Sequence, residues 1–133
     1  MEENKLNEGK TIEPADAPAE ISIEELTPEL REACKRAGWK SLTPVQAKSI
    51  PYLLAGREML VQSRTGSGKT GAYVLPIMQK INMQQNFAQA MVLVPTRELA
   101  LQVSLEAQML TQGTNLRTAV VYGGVGYLSL IHI

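Results

Sequence analysis

A single cysteine, Cys34, is all the thiol chemistry in these 133 residues. One thiol cannot close an internal bridge, which excludes a disulfide scaffold and makes a reducing compartment the expectation. Aromatic residues are also scarce, with one tryptophan, one phenylalanine and four tyrosines. Neither charge sign is in excess, because 13 basic side chains balance 13 acidic ones. The start, Met1-Glu2-Glu3-Asn4-Lys5, lacks the basic and then apolar pattern of a secretory signal. No apolar run approaches the roughly 20 residues that span a bilayer. The one histidine, His132, has no ligand spacing around it, so no zinc-type site is expected. What remains, 44% apolar and 20% charged, is a globular composition that excludes wholesale disorder and collagen-like repeats. The expectation is a soluble, cytoplasmic chain forming one domain or part of a larger one, with no membrane partner.

The balanced charge is a sum of unequal parts. Glu2, Glu3, Glu8, Glu13, Asp16 and Glu20 outweigh Lys5 and Lys10 in the first 20 residues, so the remaining body is mildly basic. Bulk neutrality gives no argument for nucleic acid, whereas a basic body is compatible with it. Residues 1–20, polar and broken by Pro14 and Pro18, read as a flexible acidic leader.

Helix signals begin at Thr27-Pro28, a capping hydroxyl before a proline at the first helical position, and stop at Gly38. Leu26, Leu30, Ala33 and Ala37 recur at helical steps and define an apolar face. A second start at Thr43-Pro44 carries a helix toward Gly56, with Pro51 predicting a kink or a break. The period then changes. Residues 58–63, 90–94 and 117–122 are short apolar runs that read as buried strands, alternating with helical patterns over 68–82 and 97–112. Alternation of this kind predicts an α/β fold with a parallel sheet flanked by helices and right-handed crossovers.

Between the first strand and its helix lies Ser63-Arg64-Thr65-Gly66-Ser67-Gly68-Lys69-Thr70, a phosphate-loop pattern with serine in place of the first glycine. Gly66 and Gly68 allow backbone N–H groups to turn inward toward phosphate oxygens, and the following helix adds the positive end of its dipole. Lys69 is expected to reach the β- and γ-phosphates of a nucleotide, and the Thr70 hydroxyl to ligate Mg²⁺. The alternative, a glycine turn beside a surface lysine, is disfavoured by the strand–loop–helix setting.

Flanking residues make the chain recognisable. Gly38-Trp39-Lys40-Ser41-Leu42-Thr43-Pro44-Val45-Gln46 resembles the Q motif of DEAD-box RNA helicases, and Ser63 to Thr70 resembles their phosphate loop. Pro95-Thr96-Arg97-Glu98-Leu99-Ala100 is similar to their motif Ia, and Gly123-Gly124 to the glycine doublet that follows. The resemblance covers about residues 21–127 and implies a partial N-terminal RecA-like domain that binds ATP and Mg²⁺. It implies adenine recognition by Gln46, whose amide can both donate and accept, with Trp39 and Thr43 in the same site. It also implies contact of Pro95, Thr96, Arg97, Gly123 and Gly124 with the sugar-phosphate backbone of single-stranded or structured RNA, hence little base specificity. Without the resemblance, Gln46 reads as a surface glutamine, Trp39 as a core ring, Thr96 as a helix cap and the glycine doublet as a plain turn.

Departures from the family pattern bound the function. Ile21 stands where an upstream aromatic is usual, and neither Asp-Glu-Ala-Asp nor Ser-Ala-Thr occurs anywhere in the chain. The first Asp of that tetrad organises Mg²⁺ in the family and its Glu activates water, so this stretch alone is expected to be catalytically incomplete. Residues 128–133, Leu-Ser-Leu-Ile-His-Ile, read as an atypical tail, either foreign to the family pattern or a short genuine strand. Other readings are a different phosphate-loop ATPase, such as a DNA helicase, or a non-catalytic nucleotide- or RNA-binding fragment.

Overall fold

The computed structural model describes residues 13–124. The first part of the leader, Val125-Gly126-Tyr127 and the 128–133 tail lie outside the described residues. A 3-10 turn over Ile23–Glu25 precedes α1 (Pro28–Arg36), α2 (Pro44–Leu54), α3 (Lys69–Lys80) and α4 (Arg97–Thr111). The turn begins one residue after Ser22, whose N–H donates to Glu25 Oε2 at 2.8 Å, so order starts upstream of the expected Thr27.

Local chemistry accounts for the helix ends. Pro28 and Pro44 sit in the first turns of α1 and α2, where a missing N–H costs nothing. Gly38 and Gly56 follow α1 and α2 with φ of +73° and +77°, the left-handed conformation that ends helices. At α4, Thr96 Oγ1 accepts from the Leu99 N–H at 3.2 Å and caps the first turn.

Pro51 does not break α2, which runs through it as one helix. The residue at position 51 would ordinarily donate to the Ala47 carbonyl, and proline cannot. That carbonyl instead accepts the Ile21 N–H at 3.1 Å, so the strand of chain entering the turn fills the gap in the ladder. The same entering segment is held at two further points. Arg57 donates to both carboxylate oxygens and the carbonyl of Asp16 at 2.9–3.1 Å, and Lys48 pairs with Glu13.

The core is helical. Leu26, Leu30, Ala33 and Cys34 meet Ile50 of α2, Val74 and Leu75 of α3 and Leu110 of α4. Burial of these side chains at roughly 1.5–3 kcal/mol for each large one is the main favourable contribution. The three apolar runs behave differently. Among the described residues, no backbone hydrogen bond joins 58–63, 90–94 and 117–122 to one another, and no strand is formed. Leu60, Met91 and Leu93 are accordingly exposed. Parallel pairing needs a neighbour in register, and in doubly wound sheets consecutive strands need not lie side by side. The expected parallel sheet is therefore not present among the described residues, although the helices that would cover it are.

Candidate nucleotide and nucleic-acid site

Residues 63–70 form a loop that turns sharply into α3. Gly66 and Gly68 have φ of +74° and +90°, both strained for any side chain, and Gly68 is the residue that caps α3. The Lys69 ammonium bends back over the loop and donates to the Ser63 and Arg64 carbonyls, the latter at 2.8 Å. Ser63 and Ser67 hydroxyls bond to each other across the same curve. Arg64, Thr65, Gly66 and Ser67 line an open cleft of about 440 Å³. A cation and a helix N-terminus thus adjoin the glycine-containing loop, a combination of donors that suits a polyphosphate. Thr70 lies in the first turn of α3, half-buried behind Lys69.

The helix α2 is locked to this loop through Gln46, only 2% exposed. Its Oε1 accepts the Thr43 N–H at 2.9 Å, completing one half of a capping box, while its Nε2 donates to the Gly68 carbonyl at 3.1 Å. Thr43 Oγ1 occupies the position of the reciprocal cap but makes no bond of ordinary geometry, and it is buried. A Cβ on Gly68 would lie 2.6 Å from Gln46 Nε2 and 2.9 Å from Thr43 Oγ1. Only glycine permits this approach. Trp39 completes the group from the α1–α2 connection, packed on the core and facing Gly71 of α3. There a Cβ would overlap Trp39 Cη2 and sit 2.8 Å from Gln46 Nε2.

A second group lies at the start of α4. Pro95, Thr96 and Arg97 are exposed, as are Gly123 and Gly124, the latter with φ of +85°. The Arg97 guanidinium carbon stands over the Tyr122 ring, 4.5 Å from its centroid, and so joins the helix start to the glycine doublet. Among the described residues, no hydrogen bond or ion pair connects this group to the loop. No cluster of three or more His, Cys, Asp or Glu side chains able to hold a metal occurs among the described residues.

Every predicted site residue thus falls in one of two constellations. Trp39, Thr43 and Gln46 are brought to the loop and the start of α3, and Arg97, next to Pro95 and Thr96, is brought to Tyr122, which precedes Gly123 and Gly124. Gly71 and Tyr122 escaped the sequence reading. A glycine inside a helix costs about 1 kcal/mol against alanine and so signals close packing, which was the available clue for Gly71.

Loop, capping glycine and glutamine clasp thus form one constellation at the start of α3. The DEAD/DEAH box helicase family profile matches residues 43–131, two-thirds of the sequence. The chain belongs to that family. It is 43% identical over 102 residues to the DEAD-box ATP-dependent RNA helicase CshC of Bacillus cereus, covering 77% of this chain and 26% of that protein. It is 39% identical over 123 residues to the ATP-dependent rRNA helicase rrp3 of Neosartorya fischeri, covering 92% of this chain and 26% of that protein. Among solved structures it resembles a DEAD box protein from the hyperthermophile Methanococcus jannaschii, with a TM-score of 0.77 and 36% identity over 86% of this chain and 32% of that one. The chain spans about a quarter of the length of these curated relatives.

Proposed function

We propose that these residues are the ATP- and RNA-binding N-terminal part of a cytoplasmic DEAD-box ATP-dependent RNA helicase. The carrying observation is the bond from Gln46 Nε2 to the Gly68 carbonyl, which couples a base-reading amide to the phosphate loop. The residues fit a nucleotide: a buried, unpartnered Thr43 hydroxyl and a glycine-lined cradle stand beside a lysine and a helix N-terminus. ATP with Mg²⁺, when bound, supplies a phosphoryl group whose transfer to water releases free energy.

Each residue then has a task. Gln46 exchanges one of its internal bonds for the adenine edge, and Thr43 offers its free hydroxyl nearby. Trp39 holds α2 against α3 from behind. The N–H groups of residues 64–70 and the Lys69 ammonium neutralise phosphate charge, and Thr70 offers one hydroxyl to Mg²⁺ beside water and phosphate oxygens. At the second group, Pro95–Arg97, Gly123 and Gly124 grip an RNA backbone. Thr96 Oγ1 already accepts from Leu99, and its own hydrogen remains free to donate to a phosphate. A parallel RecA-like sheet would carry both groups at its carboxyl edge, where ligands gather in folds of this class. Hydrolysis requires an acidic Mg²⁺ ligand and a water-activating carboxylate, and the tetrad Asp-Glu-Ala-Asp is absent from these 133 residues. Binding without turnover is the activity expected of them.

The test is titration calorimetry with ATP and Mg²⁺. Lys69→Ala should weaken ATP binding by at least about tenfold, the loss of one charge-assisted contact. Unchanged affinity would remove the phosphate-loop assignment.

A further inference from the structure

We infer that Tyr122 is a positioning residue for RNA, holding the Arg97 guanidinium in the attitude that meets a phosphate. The inference rests on the reading of Arg97 as an RNA-backbone contact. Arg97 is the first residue of α4 and exposed, and a long, solvated arginine has many rotamers to lose on binding. Tyr122 is half-buried, one residue before the glycine doublet, and its ring lies under the guanidinium carbon at 4.5 Å.

The kind of contact matters. An ion pair with a carboxylate would consume guanidinium N–H donors, whereas a ring face attracts the charge and leaves the donors free. Among the described residues, Arg97 takes part in no salt bridge, although Glu98 is its neighbour; the pairs present are Lys48–Glu13 and Arg57–Asp16. Its donors therefore stay available for a bidentate grip on phosphate. The stack also spans 25 positions of chain and links the helix start to the residue that precedes the glycine doublet.

The test uses the whole helicase that carries these residues, a short fluorescein-labelled oligouridylate as probe, and RNA-stimulated ATP hydrolysis. Tyr122→Leu should raise the RNA concentration for half-maximal stimulation about two- to fivefold, the worth of an exposed cation–ring contact, and leave the maximal rate unchanged. Tyr122→Phe keeps the ring and should behave as the parent. In an Arg97→Ala background, Tyr122→Leu should cost nothing further, because its effect runs through Arg97. Equal cost in both backgrounds, or a Phe variant as weak as the Leu variant, overturns the inference. Arg97→Ala with unaltered RNA affinity overturns the reading beneath it as well. Retained ATP affinity reports that each variant is folded; should the Leu variant lose it, Tyr122→Met gives the same comparison.

Discussion

Replacing Gly71 by alanine opposes two effects whose sizes can be compared. In an exposed helix the change is favourable by about 1 kcal/mol, since glycine loses more backbone freedom than alanine. At this position the new methyl would overlap Trp39 Cη2, lie 3.0 Å from Trp39 Cζ3 and press on Gln46 Nε2 at 2.8 Å. Trp39 cannot swing freely because it packs on the core cluster, so relief requires α2 and α3 to part. Overpacking of this kind costs about 1–3 kcal/mol. The balance is a net loss of about 1 kcal/mol in stability, read from urea unfolding. Displacement of Gln46 also removes its bond to the Gly68 carbonyl, worth about 1 kcal/mol, so ATP affinity should fall by roughly fivefold in calorimetry. Trp39→Phe removes the outer ring atoms that meet the methyl. The double variant should recover about 1 kcal/mol relative to the sum of the singles. A Gly71→Ala chain that is more stable than its parent, with unchanged ATP affinity, would refute the packing argument.

Three further outcomes are expected. Gln46→Ala leaves the Thr43 N–H without its acceptor and should cost about 1–2 kcal/mol in stability, with loss of preference for ATP over GTP in competition binding. Asp16 is held below its ordinary value of 3.8, first by the Arg57 hydrogen bond and then by its charge, so the native state binds that proton more weakly than the unfolded chain. Its contribution is complete above pH 3.8 and is lost as pH falls through the lowered value; amide exchange at Ile21 should quicken over that range, and Asp16→Asn should abolish the change. Burial pushes the Cys34 thiol above its ordinary 9.0, so labelling by an aromatic disulfide reagent at pH 8 should proceed only at the rate of unfolding.

The parts of this molecule that were legible in its sequence are those whose chemistry is local. Thr27-Pro28, Thr43-Pro44 and the glycines after α1 and α2 mark boundaries because caps and left-handed turns act within a few residues. The phosphate loop is legible for the same reason, its two positive φ glycines and its lysine lying within seven positions. The break allowed for at Pro51 does not occur because a partner for the freed Ala47 carbonyl comes from Ile21, 30 residues upstream of the proline. The three apolar runs show the same limit: composition marks them as strand-like, but register depends on partners that no local signal names. Trp39 packs on the core as its plain reading had it, whereas Gln46 is buried and not the surface glutamine that its helix position alone suggested, because its partner, the Gly68 carbonyl, lies 22 residues away.

That arrangement has a practical consequence. Trp39 is the sole tryptophan of the chain, and its ring rests on the helix that begins with Lys69 and Thr70. Any rearrangement of that helix start alters the ring's surroundings, so the protein carries its own optical gauge of loop movement. Emission excited selectively at the indole can follow nucleotide association in a stopped-flow instrument without a label, and the four tyrosines do not interfere.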